Sequence, residues 1–205
     1  MCWCATAASQ GKTALTHSEL PLFPLNTVLF PGGRLPLRIF ESRYMDMAKR
    51  CMKEDAPFGV CLIVQGKEVG EPAIPAPLGT LARIGDWDMP QLGMLHIIAK
   101  GGQRFRILAR RVQPDGLAVA SIETLAEDTD AAIPGSCKTC VRLLERVIDQ
   151  QPALFEPPHR LESASWVSAR LVEVLPLPLP AKQELLELSD ASVRLERLNA
   201  LIGRP

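Results

Sequence analysis

With 205 residues, 47% hydrophobic and 22% charged, the chain is long enough to bury one sizeable core or two modest ones. Its 23 basic side chains balance its 23 acidic ones, which argues against broad phosphate binding or docking on an anionic membrane. No run reaches the roughly 18 apolar residues of a membrane span. The opening MCWCATAASQGKTALTHS also lacks the basic start and apolar core of a secretory signal, so the expected location is the cytoplasm.

Residues 1–18 read as a weakly ordered leader. The stretch 20–47, LPLFPLNTVLFPGGRLPLRIFESRYMDM, is far more constrained. Pro21, Pro24, Pro31 and Pro36 lack a backbone donor, which confines each to a strand edge, a strand start or a turn. Pro31-Gly32-Gly33 has the chemistry of a tight turn. Beyond it Leu35, Leu37 and Ile39 share one face of an extended segment and Arg34, Pro36 and Arg38 the other. Glu41-Ser42 then opens a helix with Tyr44, Ala48 and Cys51 on one stripe. The expectation is an edge hairpin feeding a helix.

Short strands follow. Residues 58–64 form an apolar run closed by a turn at Gln65-Gly66-Lys67, and the proline-rich 69–77 reads as an irregular loop. Strands are expected over 78–84 and 94–99, then a turn at Gly101-Gly102, then a strand over 104–112 with Arg104 and Arg106 on one face and Phe105 and Ile107 on the other. Gln113-Pro114-Asp115-Gly116 turns into a last strand over 117–122. Such a series suggests a small barrel or sandwich. After an acidic linker at 127–130 the helical period takes over. Ser136 is a candidate cap for a helix to about residue 150 carrying Val141, Leu144 and Ile148. Further helices are expected over 162–174, after Pro180, and after a cap at Asp190, the last with Val193, Leu198 and Leu201 on one face.

These motifs at fixed spacing resemble the Lon protease N-terminal domain, the substrate-binding domain that also exists as a stand-alone protein. LPLFPL stands at 20–25, VLFPG at 28–32, LPL at 35–37 and IFE-x-RY at 39–44. The likeness continues with FGV-x-LI at 58–63, G-x-E-x-G at 66–70, GT-x-A-x-I at 79–84, LHI at 95–97 and G-x-RFRI at 102–107. It closes with LPL at 175–177, Lys182-Gln183, Leu185 to Glu187, Asp190, Arg194, Leu195 and Leu198. The resemblance covers about residues 20–202 and implies an α+β fold: a PUA-like β pseudobarrel with one early helix over 19–126, then a helical bundle over 127–205. It also implies a non-enzymatic protein- or peptide-binding module acting in protein quality control, since the chain ends before the ATPase and protease parts of a complete Lon. The implied mechanism is capture of an extended or unfolded segment by apolar surface, at exposed strand edges or in the cleft between barrel and bundle.

Few residues suggest chemistry. Gly11-Lys12-Thr13 imitates the end of a phosphate-binding loop, but Thr6 stands where that loop needs its first glycine, and the tripeptide reads as chance. Six cysteines in a chain of this size read as reduced thiols, with Cys51 and Cys61 as small buried hydrophobes. Cys137-Lys-Thr-Cys140 at a helix start permits redox chemistry or, with Cys2 and Cys4, a four-thiolate zinc site. Incidental thiols are the favoured reading, with no cofactor and no metal. His17, His96 and His159 are scattered, and His96 reads as a core or half-core residue.

Arg104, Arg106, Arg110 and Arg111 around Phe105 are the densest basic patch. The alternative function, an RNA-binding PUA-like protein, rests on them; a solvated strand face is the plainer account. Arg38, Glu41 and Arg43 read as a local ion-pair cluster that can also rim a partner groove, beside Tyr44. Trp87 is either an exposed contact for a partner or a packed lid on the barrel end. The candidate partner-binding residues are therefore Arg38, Glu41, Arg43, Tyr44, Trp87, Arg104 and Arg106.

Overall fold

The structure, a computed structural model, describes residues 16–128 and 131–203. Cys2, Cys4 and Gly11-Lys12-Thr13 lie outside the described residues, as does the expected leader apart from its last three residues. Those three open the first strand.

Seven strands come first: β1 (Thr16–Leu25), β2 (Arg34–Ile39), β3 (Phe58–Gln65), β4 (Ile74–Pro75), β5 (Leu78–Gln91), β6 (Met94–Val112) and β7 (Ala118–Thr124), with helix α1 (Ser42–Glu54) between β2 and β3. Four helices follow: α2 (Lys138–Gln150), α3 (Ala164–Val174), α4 (Leu179–Glu187) and α5 (Ala191–Ile202). The fold is mixed α and β, a mainly antiparallel sheet followed by helices. Pairing runs β1–β7–β6–β5–β3 and returns to β1, because β1 bonds to both β7 and β3. Strand β4 hangs on β3, and β2 on β6.

The expected hairpin between the first two strands does not form. Strand β1 pairs antiparallel with β7 up to Pro21↔Val119, then parallel with β3 from Leu22↔Gly59 onward. Each half of β1 is thus a local edge, so Pro21 and Pro24 each leave one side of the strand without a rung to lose. Strand β2 instead runs antiparallel to β6, from Arg34↔Lys100 to Ile39↔Leu95.

Nor is there a turn at Gly101-Gly102, since β6 is continuous through both. The glycines serve close approach. A Cβ on Gly101 would fall against the Phe30 carbonyl oxygen, and the Gly101 amide donates to Gly33 O while its carbonyl accepts from Gly32 N–H, both at 2.8 Å. Gly32, at φ +71°, and Gly33 together face Gly101 as a bulge. The turn Pro31-Gly32-Gly33 is fastened from the other side as well. Thr80 Oγ1 donates to Leu29 O at 2.6 Å, and Arg170 of α3 donates to Pro31 O at 2.8 Å and to Gly32 O.

The apolar interior falls into three clusters. Phe23, Ile39, Met47, Phe58, Leu95 and Ile97 pack between α1 and the sheet, and Leu22, Cys61, Phe105 and Ile122 fill a second space. Leu144, Val167, Leu171, Leu185, Leu195 and Leu198 join the helices around Phe30 and Leu78, which with Val28, Leu62 and Ala76 come from the sheet half. On α2 the expected stripe buries Leu144 fully and Val141 and Ile148 in part, but Ser136 does not cap this helix: a 3-10 turn at Gly135–Cys137 precedes it. On α5 the buried face is Ala191, Arg194, Leu195 and Leu198, while Val193 and Leu201 are exposed. Asp190 caps α5 as expected, accepting from Ser192 and Val193 amides at 2.8 and 3.2 Å.

Glu173 on α3 accepts from Arg170 Nη2 at 2.9 Å. Burial outweighs the pull of Arg170 and Lys182 and pushes its carboxyl up to about 7. The folded chain therefore holds this proton more tightly than the unfolded chain. The contribution is fully present below the ordinary glutamate value of 4.5 and is lost as pH rises through about 7. Urea unfolding should show wild-type stability declining between about pH 5 and pH 7.5 and a flatter profile in Glu173→Gln. Equal slopes in the two proteins would disprove the assignment.

Candidate functional site: an open strand edge between two grooves

Strand β2 pairs only with β6 among the described residues, and over the same residues β6 pairs on its far side with β5, as in Arg38↔His96↔Asp88 and Pro36↔Ile98↔Asp86. This makes a three-stranded arm with β2 at its rim. Across the arm lies a groove of about 480 Å³ lined by Pro36, Arg38, Asp86, Trp87, His96 and Ile98. A second groove of about 240 Å³ also borders β2 and is lined by Phe23, Leu37, Ile39, Phe40, Tyr44 and Val69. Beyond them the β5–β6 hairpin carries exposed apolar side chains: Trp87 at 61%, Met89, and Leu92 at 98%. Phe40, just past β2, is exposed by 55%.

The structure gathers some of the expected residues here and sends others elsewhere. Arg38 and Trp87 line the larger groove together, and Trp87 is exposed rather than packed as a lid. Glu41 and Tyr44 border the smaller one with Arg38. Tyr44 is buried, stacked on Phe23 with ring centroids 4.2 Å apart, and burial raises its phenol pKa. Arg43 is buried as well, donating to Glu41 Oε2 at 2.9 Å and Gly116 O at 3.0 Å; Arg38 takes no part in that pair. His96 is half-buried, with Nε2 shielded and without a hydrogen-bond partner among the described residues.

The basic patch is dismantled. Arg104 is 3% exposed. It donates to Leu186 O at 2.9 Å, Leu188 O at 2.6 Å and Asp128 Oδ1 at 2.6 Å. Desolvation lowers its pKa, opposed by Asp128. Arg194 meets Asp128 Oδ2 from the other side at 2.7 Å. Arg110 donates to Ala73 O and Arg111 pairs with Glu19. Arg106 is exposed, opposite Glu123 on β7. The face read from sequence as solvated is therefore part buried joint, because α4 and the residue that follows it present carbonyls to Arg104. The cleft between sheet and helices holds about 400 Å³ and is of mixed character, lined by Arg104, Asp128, Arg160 and Arg194 together with Pro31, Trp166 and Ala169.

The described cysteines are core residues. Cys51, Cys61, Cys137 and Cys140 are free and buried. Desolvation pushes Cys61 up to about 12, and Cys140 up to about 11, the latter with a smaller push from Cys137. No group of three metal-ligating side chains occurs among the described residues. A native thiol titration at pH 8 with an aromatic disulfide reagent should leave Cys61, Cys137 and Cys140 unreacted until denaturant is added. Rapid native labelling of Cys140 would contradict its burial.

The expected strands over 78–84 and 94–99 leave out the apolar tip, which the structure forms by extending β5 to Gln91. The signal was present: Gln91-Leu92-Gly93 between two extended runs is a hairpin tip carrying an apolar residue.

Among the described residues the fold is thus a mixed sheet with appended helices, a covered core and an open strand edge flanked by exposed apolar side chains. The chain belongs to the family of the ATP-dependent protease La (LON) substrate-binding domain, whose model matches residues 19–204. The Lon protease of Paraburkholderia phytofirmans is 28% identical over 98% of this chain but only 26% of its own length, so the chain spans about a quarter of that relative. A Lon N-terminal domain protein from Xanthomonas campestris superposes with a TM-score of 0.76 at 36% identity, covering 92% of this chain and all of that one. The N-terminal domain of Mycobacterium avium complex Lon protease shares the fold, with a TM-score of 0.66 at 18% identity over 88% of this chain and 95% of that one. Among the described residues no helix is long and apolar enough to cross a membrane.

Proposed function

We propose that this chain is a non-catalytic protein-binding module that captures extended or unfolded polypeptide through the β2–β6–β5 arm, in protein quality control in the cytoplasm. The observation that carries the reading is the cluster of exposed Trp87, Met89 and Leu92 beside the open rim strand β2. Scattered apolar residues are ordinary on a surface, but a group on one hairpin beside a groove marks an interaction site. Membership of a substrate-binding family supports the same conclusion. The reading assigns no chemical step and no cofactor to the chain. The return of the strand pairing to β1 supports a PUA-like pseudobarrel over 19–126, with 127–205 as a helical subdomain. RNA binding loses its main support with the burial of Arg104.

Reduced, carboxymethylated α-lactalbumin, which stays unfolded, should bind, and the native form should not. Trp87→Ala combined with Leu92→Ser should weaken that binding about tenfold or more, a loss of about 1.4 kcal/mol, without lowering the melting temperature. Equal binding of native and unfolded protein, or an unaffected double variant, would refute the site.

A further inference from the structure

The cleft between the sheet and the helices carries more positive charge than its own carboxylates offset. Two cavities, of about 400 and about 250 Å³, share Gly32, Gly101 and Trp166 as lining. Two of the carboxylates on their walls are each divided between two cations. Asp128 receives both Arg104 and Arg194. Glu156 receives Arg34 at 2.9 Å and Lys100 at 3.6 Å. Glu173 pairs with Arg170. Glu127 is the remaining acidic group on the lining and Arg160 the remaining basic one. Arg160 is exposed and has no ion pair among the described residues. Six cations thus line the cleft with four carboxylates, in a chain whose formal net charge is zero.

We propose that this cleft binds a small phosphate ester, its phosphate held in the larger cavity by Arg160. The cations divide into two kinds. Arg104, Arg170 and Arg194 are buried and donate mainly to carbonyls and carboxylates. They supply field rather than contact, because low-dielectric walls focus the potential of the charges behind them. Within that buried set Arg170 Nε, on the wall of the smaller cavity, has no hydrogen-bond partner among the described residues. Arg160, Arg34 and Lys100 reach water and can touch a ligand directly. An excess of two positive charges matches a phosphate monoester, which carries close to two negative charges on one group, better than a carboxylate. The larger cavity lies within the usual size range of small-molecule sites and at the kind of junction between packed units where such sites occur. It leaves room for an organic part beside Trp166, whose ring is braced by Phe155 and His159 at 6.2 and 5.8 Å between centroids. No residue of this cleft lines either groove beside β2, so the site is independent of capture at the arm.

Phenyl phosphate at pH 8 is the probe. Its affinity is read from Trp166 fluorescence in a chain whose other two tryptophans are replaced, Trp3→Phe and Trp87→Phe. At ten times its Kd, phenyl phosphate should raise the melting temperature by about 3–6 °C over sodium chloride of equal ionic strength. Benzoate, with a similar ring and one charge, should give no such rise. Inorganic phosphate should bind about tenfold more weakly than the ester. Arg160→Glu should melt like the wild type without ligand and lose the rise, while Arg160→Lys should keep part of it. A rise equalled by sodium chloride or benzoate, or retained in Arg160→Glu, overturns the proposal. Equal binding of phosphate and phenyl phosphate overturns the assignment to an ester. Displacement of phenyl phosphate by a lower concentration of single-stranded RNA would give the cleft to nucleic acid and overturn it as well.

Discussion

Asp128→Ala is expected to destabilise the protein by about 3–5 kcal/mol. Asp128 receives Arg104 at 2.6 Å and Arg194 at 2.7 Å, and all three side chains are nearly sealed from water. The carboxylate does not act alone, since Arg104 also bonds Leu186 and Leu188 carbonyls and Arg194 those of Leu185 and Leu188. Removing it leaves two guanidinium groups buried side by side without a counter-charge, which is the costly way to break a buried pair. Urea unfolding measures the loss, and a change below about 1 kcal/mol would mean that water reaches the arginines. Replacing all three side chains by apolar residues of similar volume should recover much of the stability, because the desolvation cost goes with the charges.

The second large effect is expected at Phe30. Phe30→Ala should cost about 3–5 kcal/mol, the range for truncating a fully buried aromatic ring. Phe30 is completely covered, and the Arg194 guanidinium lies over its ring at 5.9 Å. It belongs to the loop before β2 yet packs within the helical cluster. The residues after it are clasped by Gly101 and Arg170. Phe40→Ala, ten residues on and exposed, should change stability by no more than about 0.5 kcal/mol. Parallel denaturation curves for the two variants decide the matter, and a similar loss at both positions would contradict the packing.

Much of the element order was readable from residue pattern because the local signals agree with the fold. Leu35, Leu37 and Ile39 face inward as alternation requires, α1 buries Tyr44, Ala48 and Cys51 as its period requires, and Asp190 caps α5. The errors came from residues whose roles are set by distant partners. Gly101-Gly102 has turn chemistry in isolation, yet it serves a close backbone crossing with a turn seventy residues earlier in the chain. Arg104 alternates with Phe105 as a surface residue would, but the end of α4 and the turn after it cover that side chain. Val193 and Leu201 look as apolar as Leu198, and only the position of α5 against α3 determines which are buried.

For the site, sequence singled out Arg38 and Trp87 without any reason to join them, since 49 positions separate them. Pairing of both β2 and β5 with the same stretch of β6 brings them to one groove. By itself the sequence determined the family and the strand or helical period of most elements, because these depend on residue type and spacing along the chain. The tertiary structure alone decided which charges are buried, which strand is left with an open edge and which apolar residues meet water. Those properties depend on contacts between segments far apart in sequence, where burial and pairing override local preference.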